Sequence, residues 1–171
     1  VDVVSVNYYS RFEPEEDVMQ MWIENADKPF MITEFYVKCE DTGLDNSSGA
    51  GWKVGTQEDR AKWFENWMLK LLRNKGNVGF HWFRFIDKTS DDSNKGLYDD
   101  DYNIYEELGA SIEKISKSIY TLRSQILYGN YNYNGCSSVN VDEIGTPTPP
   151  TTTTDGSLVH ITKRNATGFA F

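Results

Sequence analysis

Cysteine is scarce in this chain: Cys39 and Cys136 are the only two among 171 residues. They lie far apart in dissimilar sequence and make no metal-ligating spacing, so they read as unrelated free thiols. Basic residues are also in short supply. Lys and Arg total 17 against 26 Asp and Glu, a net charge of -9, and nonspecific binding to a polyanion depends on clustered cations. No nucleic-acid partner is therefore expected, whereas neutral ligands such as carbohydrates stay open. There is no apolar run long enough to cross a bilayer and no basic-then-apolar leader, so no membrane partner is expected either. No Gly-rich turn directly follows a strand-like segment, which disfavours a P-loop or dinucleotide-binding fold, and no cofactor is expected. The first residue is not Met, and "VDVVSVNYY" already reads as a buried strand. The sequence thus reads as starting inside a domain of a longer protein.

What is present is enough for one packed core: 39% of residues are hydrophobic and 14% aromatic, too much for a disordered chain. The hydrophobic periods alternate along it. Residues 1–9 form a β-branched strand ending near Asn7, and Pro14 opens a helical stretch in which Val18, Met21 and Trp22 share a face. Pro29 ends that helix, and "FMITEFYV" (30–37) is a second strand. A Gly- and Ser-rich loop, "DTGLDNSSGAGWKVG", then leads to Thr56 and Asp59 at capping-box spacing. Ala61, Phe64, Met68, Leu71 and Leu72 recur at helical intervals, which predicts a helix over 57–74 stopped by Asn74 and Gly76. "NVGFHWFRFID" (77–87) is a third strand, apolar on both faces, and Leu108, Ile112, Ile115, Ile119, Leu122 and Ile126 mark a long third helix.

Such β-α-β-α-β-α order implies parallel strands, either in a doubly wound sheet or in part of a (β/α)8 barrel. Three βα units fill residues 1–128, whereas a complete barrel takes about 250 residues, so a barrel would need five more units upstream. Alone, three units would leave long apolar strand edges unpaired. Polar and aromatic residues gather at the C-terminal ends of the strands, where barrel enzymes carry their chemistry. These are Asn7, Tyr8 and Tyr9 on the first, Glu34 and Tyr36 on the second, and His81, Trp82, Arg84 and Asp87 on the third. Glu34 stands out, because a buried strand has no structural need of a carboxylate. Alternation places Asn7 and Tyr9 on one face; on the third strand it groups Phe80, Trp82 and Arg84 against His81, Phe83 and Phe85.

Five segments carry a resemblance: "DVVSVNYYS", "MITEFYVK", "SSGAGWKVGTQEDRAKWFENWMLKLL", "VGFHWFRFID" and "NKGLYD". Together, over residues 1 to 127, they resemble the last three βα units of clan A glycoside hydrolases, and most closely the agarase and porphyranase-like families. The resemblance implies that residues 1–9, 30–37 and 77–87 are barrel strands six, seven and eight. It implies Glu34 as the nucleophile of a retaining reaction, with Trp82 as the aromatic floor of the sugar site. The family's general acid/base, a Glu following Asn on strand four, has no match here, so these residues alone should not complete the reaction. A nucleophilic carboxylate in an apolar barrel mouth needs donors or a cation to stay ionised. Tyr8 or Tyr9 could donate to it, and Arg84 or His81 could supply charge. Asn7, Tyr9, Tyr36, His81, Trp82 and Arg84 are the expected substrate-binding set. Cys39 gains no role from the family pattern.

Past the long helix the composition changes. Residues 129–145 read as an irregular tail, "TPTPPTTTT" (146–154) as an extended linker, and 155–171 as the start of a possible β-rich carbohydrate-binding module. The loop "DKTSDDSNKGLYDDD" lacks the spacing of a calcium loop and is expected to be a solvated acidic surface. Asn46 and Asn165 sit in N-x-S/T sequons. The expectation is the C-terminal part of a retaining (β/α)8 glycosidase acting on an agar- or porphyran-type galactan, secreted or cell-surface, with a polysaccharide as its partner. Rivals are an enzyme of another β-glycan, a barrel that only binds sugar, and a flavodoxin-like sheet.

Overall fold

A computed structural model describes residues 1–9 and 12–129, together with the backbone of 167–169. The tail, the Thr/Pro run, most of the expected β module and Asn165 lie outside the described residues. In chain order the elements are β1 (Val4–Asn7), α1 (Glu16–Ala26), β2 (Phe30–Phe35), β3 (Lys38–Cys39), β4 (Gly51–Val54), α2 (Gln57–Arg73), β5 (Asn77–Trp82), α3 (Glu106–Tyr128) and β6 (Thr167–Phe169). The main sheet has the order β1-β2-β5 and is parallel throughout, a mixed α/β arrangement as the alternating periods imply. Among the described residues the outer edges of β1 and β5 carry no partner strand. No helix among them is long and apolar enough to cross a membrane.

Local signals set most boundaries. Thr56 accepts a hydrogen bond from the Asp59 main chain at 3.1 Å and starts α2. The first helix stops at Asp27, whose left-handed backbone (φ 50°) lets its N–H reach the Ile23 carbonyl at 2.8 Å, two residues before Pro29. Its inner face is Met19 with Val18, Trp22 and Ile23, whereas Met21 is 48% exposed. Met21 lies about 200° around the helix from Met19, so the two cannot share a face. The Gly- and Ser-rich loop contains a strand that the sequence reading omits: β4 pairs with β3 in parallel and with β6 antiparallel. β5 ends at Trp82, five residues short of the expected strand: Phe83 still donates to the Phe35 carbonyl of β2, but Arg84 bonds Lys95 in the following loop instead.

One face of the main sheet carries the core. Phe30, Ile32 and Phe35 are fully buried beneath the helices, and the Phe35 ring stacks on Trp67 with centroids 4.2 Å apart. Trp63 and Trp67 are packing residues, as expected of helical tryptophans. Each such ring removes enough apolar surface to contribute about 2–3 kcal/mol. The third helix packs on α2, with Ser111 donating to Glu65 at 2.9 Å, and Arg123 donates to the Asn77 carbonyl at 2.6 Å.

The acidic loop is not simply a solvated surface. Asp87, Ser93, Asn94 and Lys95 are buried. The Asp87 carboxylate accepts from the main-chain N–H groups of Lys95 (2.7 Å) and Gly96 (2.6 Å), from Asn94 Nδ2 (2.7 Å) and from the Tyr105 hydroxyl (3.0 Å). A side chain at Gly96 would run into the main chain at Asp87 and Tyr98. Arg60, fully buried, lies between the Trp82 and Tyr105 rings at 5.3 Å from each and donates to the Val37 carbonyl at 3.0 Å. No group of three or more His, Cys, Asp or Glu among the described residues could hold a metal ion. Asn46 is buried and bonded to Cys39 and Asn94, so its sequon offers no accessible amide. Asp87→Ala would strand four donors in the interior. We expect a loss of about 3 kcal/mol or more from the urea midpoint of the full-length protein; a loss below about 0.5 kcal/mol, as at an ordinary surface site, would mean that Asp87 does not hold the loop.

Candidate active site

Simple alternation along β2 poses a problem. Phe30 and Ile32 point into the helix layer, so Glu34 should follow them there. The register shows why it does not. Val6 pairs with Ile32 but Asn7 pairs with Glu34, and on the other side Ile32 pairs with Phe80 but Phe35 with Trp82. Both neighbours advance one residue fewer than β2. The strand therefore carries a β-bulge between Ile32 and Phe35, the device by which a strand re-aims a side chain. The bulge returns Phe35 to the helix face and leaves Thr33 and Glu34 together on the opposite face.

That opposite face is polar. Thr33 donates to Asn7 Oδ1 at 2.8 Å and lies 3.4 Å from the Ser5 hydroxyl. Tyr9, at the end of β1, donates its hydroxyl to Glu34 Oε2. Burial, followed by this hydrogen bond and the Glu34 charge, pushes the Tyr9 phenol well above its ordinary value, so it remains a donor. Of the two tyrosines that could have reached the carboxylate, Tyr8 does not: it points into the core against Trp22 and Trp67, and only its main-chain N–H meets Glu34, at the carbonyl, 2.9 Å away. Asn7 is exposed beside Thr33. His81 is exposed, and by alternation it lies opposite the core-facing Phe80 and Trp82.

Three expected substrate contacts are placed elsewhere. Trp82 is on the helix face: its ring meets Phe35, Trp63 and Phe64, and its Nε1 donates to the Lys95 carbonyl at 2.9 Å. It is not the floor beside Glu34, because the β2 bulge separates the Phe35–Trp82 face from the carboxylate. Arg84 pairs through Nη1 with Asp91 at 2.5 Å, and its Nε and Nη2 are buried without a hydrogen-bond partner among the described residues. Tyr36 is only 5% exposed, and its hydroxyl donates to the Ala50 carbonyl at 2.7 Å, which leaves the ring as a packing surface for its neighbours. The sequence reading missed Lys95 and the 46–50 loop. Both surround Tyr36, and the only signal for them was the clustering of Gly and Ser before Trp52.

No family model matches the chain. It is 32% identical over 136 residues to beta-agarase B of Vibrio sp. (strain JT0107), a match covering 72% of this chain and 13% of that protein. Among solved structures, BpGH50 is similar with a TM-score of 0.69 and 42% identity over 73% of this chain and 27% of its own. A structure described as an exo-beta-agarase has a TM-score of 0.62 and 28% identity, covering 71% of this chain and 17% of its own. The chain thus spans about an eighth of the curated relative's length. Glu34, its bulge and Tyr9 accordingly lie in a chain homologous to a segment of agarase-type glycoside hydrolases.

Proposed function

We propose that the longer protein containing this chain is a retaining glycoside hydrolase of an agar- or porphyran-type galactan, with Glu34 as its nucleophile. The observation that carries this is the bulge in β2, which lifts one carboxylate off the apolar face and sets it against the Tyr9 hydroxyl. Glu34 would attack the anomeric carbon and form a glycosyl ester. A second carboxyl group, roughly 5–5.5 Å away, would protonate the leaving oxygen and then activate the water that hydrolyses the ester. By the family resemblance this partner would be a Glu following Asn on strand four, a pair with no match in these 171 residues, so the described segment alone would be inactive. Tyr9 would hold the attacking oxygen's partner in place, while Asn7 and His81 would contact sugar hydroxyls. Free edges on β1 and β5 support a sheet that continues into further strands, with these three as strands six to eight of a (β/α)8 barrel. A polymeric substrate fits an enzyme that works outside the cell, secreted or at its surface.

Reducing-sugar release by the full-length protein from agarose, porphyran, β-glucan and β-mannan tests this. Glu34→Gln should lower release from one galactan by roughly 10³-fold or more with the fold intact by circular dichroism. Wild-type rates in the variant would remove Glu34 from the chemistry. Cleavage of a glucan or mannan alone would replace the substrate, and sugar binding without turnover would point to a non-catalytic barrel.

Tyr9→Phe gives a second prediction. Tyr9 donates to the Glu34 carboxylate, so its loss should lower kcat about tenfold with KM little changed. In the wild type, the raised Tyr9 value should keep its ionisation out of the profile up to about pH 10, where an ordinary phenol would titrate. A wild-type kcat in Tyr9→Phe would contradict the assignment.

A further inference from the structure

Tyr9 lies beyond the end of β1, where no ladder hydrogen bond fixes its ring; a second ring braces it. The Tyr36 centroid is 4.8 Å from that of Tyr9, with the planes 51° apart. Tyr36 is itself enclosed. Phe83 lies 6.0 Å from its ring, and the Lys95 ammonium stands over it at 5.7 Å. Its hydroxyl is tied to the Ala50 carbonyl at 2.7 Å. Burial first, with the Glu34 charge adding, raises the Tyr36 phenol to about 12, so it keeps the proton it donates.

The glycines flanking Ala50 make this contact possible. Gly49 (φ 78°) and Gly51 (φ 92°) both adopt backbone that L side chains avoid. A Cβ on Gly49 would come within 2.9 Å of the Tyr36 hydroxyl and 2.6 Å of Lys95 Nζ; one on Gly51 would lie 3.2 Å from Tyr36 Cε2. The loop is anchored in turn. Lys38 Nζ donates to the carbonyls of Ser48 (3.2 Å) and Gly49 (3.0 Å), and Ser93 donates to Ser48 O at 2.8 Å. Burial, with Lys53 and Lys95 adding, lowers Lys38 to about 8, which leaves it charged at neutral pH.

We propose that the Gly49–Gly51 loop and Tyr36 form a positioning device: the loop fixes the Tyr36 ring, the ring braces Tyr9, and the Tyr9 hydroxyl holds Glu34. Tyr36 is a positioning residue that touches neither substrate nor the reacting atoms. This rests on the reading of Glu34 as nucleophile and adds how its geometry is set. It also ascribes a purpose to the loop that the family resemblance leaves without one.

The test uses the full-length protein with Tyr36→Leu, Gly51→Ala, Tyr36→Phe, Tyr9→Phe and the Tyr36→Leu/Tyr9→Phe double variant. Tyr36→Leu should lower kcat about tenfold, the scale of one hydrogen bond to a charged group. KM should stay within about twofold. Gly51→Ala should follow the same trend. In the double variant Tyr36→Leu should add nothing to Tyr9→Phe, because both act through one contact. Independent, multiplying losses, or a wild-type kcat in Tyr36→Leu, would overturn the proposal. If Tyr36→Leu fails to fold, Tyr36→Phe, which removes only the bond to Ala50, should still give a few-fold loss of kcat at unchanged KM; no loss would overturn it. Crystal structures of wild type and variant separate this idea from the catalytic one. Whatever the activity, Tyr9 Oη should leave hydrogen-bond distance of Glu34 when Tyr36 is truncated, and an unmoved Tyr9 would refute the bracing.

Discussion

One extra residue in β2 sets the geometry of everything around it. A strand in an α/β sheet has two faces, and here one is committed to the aromatic layer of Phe30, Ile32, Phe35, Phe80 and Trp82 beneath the helices. A carboxylate forced into that layer would lose its hydration among apolar rings, a cost of several kcal/mol. The bulge avoids it. Phe35 regains the helix face and stacks on Trp67, while Glu34 moves to the face where Tyr9 can donate to it. The apolar core and the Glu34 carboxylate are thereby separated by a backbone irregularity of the kind found beside active sites.

The loops after β2 and β5 then lock the strand ends together. Arg60 reaches from α2 to the Val37 carbonyl, three residues past Glu34, and its guanidinium lies between Trp82 and Tyr105. Asp87 gathers the start of the following loop, and Asn94 ties that loop to Asn46 by an N–H donated at 2.8 Å. The cations Lys38, Arg60 and Lys95 are buried in these loops and helices, while the chain as a whole carries an excess of carboxylates. Such a layer is costly to assemble and rigid once satisfied. A site that must hold reacting atoms to a fraction of an ångström depends on that rigidity.

The elements were legible where period and caps agreed. The helix from Thr56 to Asn74 follows from apolar spacing and a side-chain cap, and the long helix past Leu108 from apolar spacing, signals that act within a few residues. The strand–helix alternation likewise follows from local periods. Facing was less legible. Strict alternation predicts neither the bulge nor its consequence that Trp82 and Glu34 end on opposite sides, since a bulge is fixed by pairing with two strands distant in sequence. Tyr36 looked like a sugar contact because it follows Glu34 closely; its burial comes from Gly49, Gly51 and Lys95, which are remote in the chain or conformationally unusual. Met21 was misplaced because an outward methionine resembles an inward one until the neighbouring Met19 is seen to fill the core. Glu34 stands out in the sequence as the one carboxylate of residues 30–37.

The central claim is that Glu34 becomes covalently attached to sugar. The direct measurement is trapping: the full-length protein is incubated with an activated 2-deoxy-2-fluoro-galactoside, which slows hydrolysis of the glycosyl ester, and its peptides are mapped by mass spectrometry. The account predicts one fluorosugar per protein, carried by the peptide that spans Phe30–Lys38 and assigned by fragmentation to Glu34. An adduct on a different carboxylate, or an active enzyme that turns the reagent over without ever becoming labelled, would contradict it.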